Sequence, residues 1–446
     1  MSDILHRVLS GERSTAVAGD GNMLIMADGR RLLDACGGAA VSCLGHSADA
    51  VRQAIRDQVD HLAFAHTGAF TSDPAEALAT RLVSRAPEGT GAGKAMFVGS
   101  GSEAMEAALK LARQYHVERG EPDRARFISR RGSYHGNTLG ALAVGGHAGR
   151  RAPYAPMLMD VGQIDPCYAY RLREPGESEA EFALRMADQL DTAIVAMGAG
   201  TVAAFIAEPV VGATLGTVAA AEGYFRRIRE ICDRHGVLFI ADEVMCGMGR
   251  TGTLFALEQE GVHADIVTIA KGLGAGYMPI AGVIASEDVV GAIAKGSGRL
   301  WNGHTYMGHA LATAAALAVL DTIEKDELLS NVGRMGERLR TRLVERFDNH
   351  PHVGDIRGRG LFWSIELVAD RDGAVTFDPG LAVAPRTAAE AMARGVMFYP
   401  GQGSADGVNG DHVLIAPSYT STEEEIDRIA FTLGEAVDVA IGGAHG

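Results

Sequence analysis

Five short stretches hold side chains whose types and spacing could do chemistry. Lys271, in ADIVTIAKGLGAGYMPI, directly follows an apolar run and precedes a glycine-rich turn. An amine held there against an apolar wall can have its pKa lowered, as an amine nucleophile requires. Taken alone, such a lysine is more often a solvated loop residue. In VLFIADEVMCGMGRTG, an apolar run of the kind buried on both faces of a parallel sheet ends in Asp242 and Glu243. A second run, AAFIAEPVVG, ends in Glu208, at the strand end where open α/β sheets bind ligands; a surface turn at Pro209 is the plain alternative. FVGSGSEAMEAALKLARQY reads as a strand, a Ser100-Gly101-Ser102 turn and a helix from Glu103, with Ala104, Ala107, Ala108 and Leu111 on one face. Free N–H groups at that helix start favour a phosphate, although Ser102, or Ser100 with Glu103, would also serve as an ordinary cap. SYHGNTLG sets Tyr134 and His135 beside a glycine, which suits stacking on a planar ligand, although such a motif alone is more often just a loop.

The glycines behind Asp242 admit a different chemistry. Gly247, Gly249 and Gly252 have the G-x-G-x-x-G spacing of a dinucleotide loop, and Asp265 stands near the place of a ribose-binding acid. Two carboxylates would then face a pyrophosphate, and the unit lies in mid-chain, so a nicotinamide dehydrogenase is the less favoured reading. A phosphate cradle, a stacking aromatic, a strand-end aspartate and a lysine nucleophile, in that order on one sheet, are instead the parts of a pyridoxal phosphate site. In such a site the lysine bonds the cofactor carbonyl, and the aspartate keeps the ring nitrogen protonated.

A mainly parallel α/β sheet has to position these groups. Strands are expected at 94–98, 126–129, 202–207, 237–241 and 266–269, with helices at 74–86 and 103–119 and between several of the later strands. Asp28-Gly29 between apolar runs predicts a hairpin, and 47–61 a helix. An Ala-rich helix at 309–323 leads out of the sheet. The last hundred residues change to short strands, 361–368 and 412–418, with helices at 385–394, opened by Pro385, and 422–441, opened by a Thr422-x-x-Glu425 capping box. The expected division is residues 1–64 as an N-terminal meander and helix, 65–325 as the large α/β domain and 326–446 as a smaller α+β domain packed with the N-terminus.

Bulk properties bound the partners. A net charge of −15 over 446 residues argues against nucleic acid or an anionic membrane as the main partner. The five cysteines include no C-x-x-C pair and the fifteen histidines show no metal-ligand spacing, so neither a structural metal nor a disulfide framework is expected. The first residues lack a signal-peptide core, and no apolar run reaches membrane-spanning length; a cytoplasmic enzyme is expected.

The chain resembles the class III (omega-amino acid) aminotransferases of pyridoxal-phosphate fold type I over essentially its whole length. SGSEAMEAALKLARQY, YHG, EPVVG, ADEVMCGMGRTG, TIAKGLGAGYMP, GHTYMGHALATAAALAVL and IRGRGLFWSIEL occur in family order and spacing. The resemblance implies that Ser100, Gly101 and Ser102 bind the cofactor phosphate, with Tyr134 and His135 at its ring and Val244 on the other face. Asp242 would pair with the ring nitrogen, Glu208 would join the network around it, and Lys271 would bond the cofactor and move the proton in the 1,3-shift. Thr305 would reach the phosphate of a neighbouring subunit, implying a homodimer, whose dimers could pair into a tetramer. Val41 and Cys43, in 40–44, would line the substrate pocket with Tyr134. The implied reaction moves an amino group, a terminal amine of an amino acid or diamine, to a 2-oxo acid. Ala213 stands where users of 2-oxoglutarate often carry glutamate, and FYPGQGSADGVNGDHVLIAPSY lacks the arginine often found in pyruvate users. The acceptor stays open, with pyruvate slightly favoured. An aminomutase or decarboxylating transaminase keeps the same cofactor, and a non-catalytic binding protein on this scaffold is a further alternative.

Overall fold

The computed structural model describes residues 3–442 apart from 12, 88, 91 and 92. Its largest sheet has seven strands: β1 (Lys94–Val98), β2 (Arg126–Arg130), β3 (Val161–Ile164), β4 (Val202–Ala207), β5 (Leu238–Asp242), β6 (Ile266–Ile269) and β7 (Ala281–Ala285). Their spatial order is β3-β2-β4-β5-β6-β7-β1. All neighbours pair in parallel except β7, which runs against both β6 and β1. The carboxyl ends of six strands and the amino end of β7 therefore meet along one edge.

The continuous apolar runs divide onto two faces by the two-residue period of a strand. Phe205, Ala207, Phe239, Ala241, Val267 and Ile269 pack into one core, under the helices Glu179–Met197 and Tyr224–His235. Ala204, Ile206, Leu238, Ile240 and Ile266 pack into the other, against Ala104, Ala107, Ala108 and Leu111 of the helix Gly101–Glu118. Every residue of β4, β5 and β6 is buried, as a sheet covered on both faces demands.

A smaller α+β unit is built from both chain ends. Its antiparallel sheet orders Val353–Arg359, Phe362–Leu367, Asp411–Ile415 and Tyr399–Gln402. The hairpin over Asp28-Gly29 joins Met23–Met26 to Arg31–Asp34, and Val396–Met397 adds to it in parallel. The helix Ala310–Lys325 joins the two units: Ala312, Ala316 and Leu320 face the large core, while Ala315, Val319 and Ile323 face the small one.

Two local expectations are corrected. The helix Val383–Ala393 starts before Pro385, which is its third residue; the first-turn N–H groups have no intrahelical acceptor, so proline is tolerated there. The 20-residue helix Leu328–Phe347 was not anticipated, although Leu328, Val332, Met335, Leu339, Leu343 and Phe347 give it a regular buried stripe. At Thr422 the capping box forms: its Oγ1 accepts from Glu425 N at 3.3 Å, and Glu425 Oε2 accepts from Thr422 N at 3.0 Å. Among the described residues, no helix is long and apolar enough to cross a membrane.

Candidate active site

A cavity of about 400 Å³ opens along the edge where the strand ends meet. Gly99 to Ser102 enter it after β1, Glu208 after β4, Asp242 at the end of β5, and Ala270 and Lys271 after β6. The reversed strand β7 contributes its approach, Met278 to Ile280, from the opposite chain direction. Those residues, with Gly212 and Met245, were not foreseen, because only the topology puts the amino end of β7 at this edge.

The helix Gly101–Glu118 points its N-terminus into the cavity. Ser100 is its cap, with Oγ accepting from Glu103 N at 3.3 Å; Glu103 reaches back to Gly99 N at 2.7 Å, not to Ser100. Ser102 Oγ accepts from Asn137 N at 2.9 Å, which leaves its hydroxyl proton available. A Cβ on Gly101 would come within 3.0 Å of Val244 Cγ1, so glycine keeps the cradle and the Val244 wall close together. This end of a helix is a ready anion site.

Asp242 is 3% exposed. Its Oδ2 accepts from His135 Nδ1 at 2.7 Å, and its Oδ1 accepts from Val244 N at 3.0 Å and Thr268 Oγ1 at 3.3 Å. Burial alone would lower the His135 pKa, but the carboxylates of Glu208 and Asp242 outweigh it and raise it. Glu208 Oε1 accepts from Tyr134 N at 3.0 Å, and buried Arg130 donates to the Glu208 carbonyl. Among the described residues, buried Glu208 Oε2 and His135 Nε2 take part in no hydrogen bond; they lie 3.9 Å apart, and Arg130 Nη2 is 3.6 Å from Oε2. Lys271 lines the cavity with its backbone in the left-handed region, at φ +45°, a strained state for a residue with a Cβ. Burial brings its amine down to about 8, against the opposing pull of Asp242, Cys246 and Glu208.

Among the remaining expected residues, Val41, Tyr134 and Ala213 line the cavity. Cys43 does not: it is fully buried, and its thiol donates to the Gly272 carbonyl at 3.5 Å. Thr305 is exposed and lies outside the cavity of its own chain. Glu243, next to Asp242, turns away from the cavity into the core and accepts from Ala256 N at 2.6 Å and Leu257 N at 2.9 Å. Gly247 folds back over it: a Cβ there would be 2.8 Å from the Glu243 carbonyl oxygen. The glycine loop is thus packed around a buried side chain and makes no open phosphate cradle. Met245 belongs to the cavity wall and Met248 to the large core.

A helix N-terminus, a buried acid tied to a histidine, and a desolvated lysine at one sheet edge match the donor set of a phosphorylated pyridine aldehyde. The family model "Aminotransferase class-III" matches residues 11–437, and the chain belongs to that family. An aminotransferase of Gibberella zeae is 42% identical over 445 residues, covering 98% of this chain and 86% of that protein. A diaminobutyrate–2-oxoglutarate transaminase of Halomonas elongata is 36% identical, covering 94% and 89%. The omega transaminase of Pseudomonas jessenii in complex with PMP superposes with a TM-score of 0.91 at 32% identity, covering 97% of this chain and 94% of that one. The protein is an aminotransferase whose cofactor is pyridoxal phosphate.

Proposed function

We infer that the protein moves a terminal amino group from an amino acid or related amine to a 2-oxo acid, with pyruvate favoured, in two half-reactions at one site. The observation that carries this reading is the convergence of Lys271, Asp242 and the 101–118 helix start on one cavity. Pyridoxal phosphate, when bound, supplies a carbonyl for the amine nitrogen and a ring that takes up the electron pair left when a C–H proton departs. Ser100, Gly101 and Ser102 would hold its phosphate, with Tyr134 and Val244 at the ring faces. Asp242 would accept from the ring nitrogen, held in place by His135 and Thr268. Glu208 and His135 both line the cavity, and Glu208 Oε2 and His135 Nε2 carry no hydrogen bond among the described residues.

Lys271 has two tasks, and its lowered pKa serves both. An amine near 8 is partly neutral at pH 7, so it can bond the cofactor carbonyl. Once displaced by the substrate amine, Nζ would take the proton from the substrate carbon and deliver it to the former carbonyl carbon of the cofactor, on the far side of the shared nitrogen. The donor product must leave before the acceptor enters, which is a ping-pong order. Ala213 puts a methyl in the cavity wall where a glutamate would serve a distal-carboxylate arginine, which favours a short acceptor such as pyruvate.

We assign Thr305 to the cofactor phosphate of a partner copy. Exposed Tyr306 lies in edge contact with Phe64, ring centroids 5.6 Å apart, and exposed Trp301 and Phe70 belong to the same loops. Such aromatic exposure suits a homodimer face. Five buried free thiols suit a reducing compartment, so the cytoplasm is the proposed location.

The test is a spectral screen on purified protein. Loaded with cofactor, it should absorb in the visible, lose that band on borohydride treatment, and convert with an amine donor. Pyruvate should then restore it. A band that amines never alter would refute the transaminase reading, and turnover without any external oxo acid would favour an aminomutase.

A further inference from the structure

The cavity holds two carboxylates, a histidine and a lysine, and no arginine is among its lining residues. Lys271 is committed to the cofactor, so a substrate carboxylate still needs a cation. The nearby arginines are committed elsewhere. Arg130 donates to the Glu208 carbonyl, and Arg151 to the carbonyls of Ala143 and Gly145. Arg250 donates to the Leu361 and Pro417 carbonyls at 3.0 and 2.5 Å, and Arg357 is paired with Glu366 at 2.7 Å.

Arg150 differs from all of these. Its guanidinium carbon stands 4.8 Å from the ring centroid of Tyr134, a residue of the cavity wall. The side chain is exposed, and among the described residues no carboxylate or carbonyl takes a hydrogen bond from it. Its position is set by backbone. Gly146 N donates to the Ser133 carbonyl at 3.0 Å and Gly132 N to the Gly146 carbonyl at 3.1 Å, tying the 146–151 turn to the residues just before Tyr134. Arg150 N is itself held by the His147 carbonyl at 3.2 Å. A guanidinium held over a ring by a cation–π contact uses none of its N–H groups for that contact, and those groups can grip a carboxylate with two bonds.

We propose that Arg150, parked on the Tyr134 ring, is the docking group for the substrate carboxylate at the mouth of the cavity. It is a specificity-determining residue, and the proposal rests on the aminotransferase reading above. It favours donors and acceptors that carry a carboxylate over diamines and simple alkylamines.

Calorimetric titration of the cofactor-loaded protein with unreactive pentanoate and pentanamide tests this directly. The wild type should prefer pentanoate. Arg150→Met should weaken pentanoate binding about 10- to 100-fold, the range of a charge-assisted pair, and shift pentanamide by less than about twofold. Arg150→Lys should recover part of the loss. In the amine half-reaction, kcat/KM for 5-aminopentanoate should fall alongside pentanoate affinity, and that for pentylamine should fall far less. Unchanged pentanoate affinity in Arg150→Met, or a wild type that binds both probes equally, overturns the proposal and leaves transamination standing. If neither amine alters the visible band, the aminotransferase reading fails, while the pentanoate titration still decides Arg150.

Discussion

Glu366 and Asp242 are both buried carboxylates surrounded by polar partners, and they serve opposite ends. Glu366 accepts from Arg171 Nε at 2.7 Å and from the Tyr168 hydroxyl, and it forms an ion pair with Arg357 Nη1 at 2.7 Å. Burial would raise its pKa, but the two guanidinium groups outweigh it and hold the carboxyl below the usual range. Both oxygens are engaged, and the cluster ties the Ala169–Leu172 turn to the sheet of the smaller unit. Around Asp242 the network is looser: among the described residues Glu208 Oε2 and His135 Nε2 take part in no hydrogen bond, Oε2 having Arg130 Nη2 only at 3.6 Å, and Lys271 is desolvated beside the cavity. Charges that satisfy one another hold a fold together, whereas charges left open on a cavity side are available to a ligand. Damage to the first cluster should therefore appear as lost stability, and damage to the second as lost rate.

Lys271→Ala gives the largest separation. Without the amine that bonds the cofactor and moves the proton, single-turnover amine conversion should fall at least about 10³-fold, while the denaturant midpoint stays the same or rises because a desolvated amine is gone. A midpoint that collapses with the rate would make Lys271 structural. Glu366→Ala should do the reverse. It leaves Arg171 without its counter-ion and Arg357 with Asp355 alone, at a cost of about 3–5 kcal/mol in unfolding free energy read by urea titration. The surviving folded protein should retain its kcat within a few-fold; a large kcat loss at unchanged stability would erase the distinction between the clusters.

The sequence made the second cluster easier to find than the first, for a physical reason. Strands buried on both faces appear as unbroken apolar runs, so their ends, and hence Glu208, Asp242 and Lys271, stand out. Asp242 and Glu243 could not be told apart in that way, since the choice depends on which side of the chain each side chain leaves. Thr268 and Arg130 were invisible because they reach the site through strand pairing, Asp242 lying opposite Thr268 in register. The Glu366 cluster joins residues nearly two hundred positions apart and leaves no local pattern at all. The helix Leu328–Phe347 carries Gly333 and Gly336 in its interior, where glycine weakens the local helix signal. Gly336 is where the backbone of Gly360 packs directly on the helix, leaving no room for a Cβ. The reversal of β7 follows from no short segment, and with it went the Met278–Ile280 wall.

Asp242→Asn is a gentler test of the open cluster, because it keeps the shape and removes the charge that would hold a proton on the ring nitrogen. The amine half-reaction should slow about 10²-fold by stopped-flow absorbance, with little change in the urea midpoint, because the Val244 and Thr268 bonds to Oδ1 have an amide counterpart. A smaller loss with a marked drop in stability would place Asp242 with Glu366 as a fold-holding acid.

The smallest effect is a pH dependence, and it uses both clusters. With the Lys271 amine brought down to about 8, the neutral form that bonds a carbonyl is about one-tenth of the total at pH 7 and about nine-tenths at pH 9. Capture of added pyridoxal phosphate by the apoprotein, followed by absorbance, should therefore quicken about tenfold from pH 7 to pH 9 and then level off. The Asp242 carboxylate stabilises the charged amine and so raises its pKa. Asp242→Asn should consequently move the midpoint to lower pH, and capture at pH 7 should become faster even as amine conversion becomes slower. Glu366→Ala, remote from the amine, should leave the midpoint near 8. A midpoint that stays put in Asp242→Asn would mean that burial alone sets the Lys271 amine and that the two groups, though they share a cavity, are not electrostatically joined.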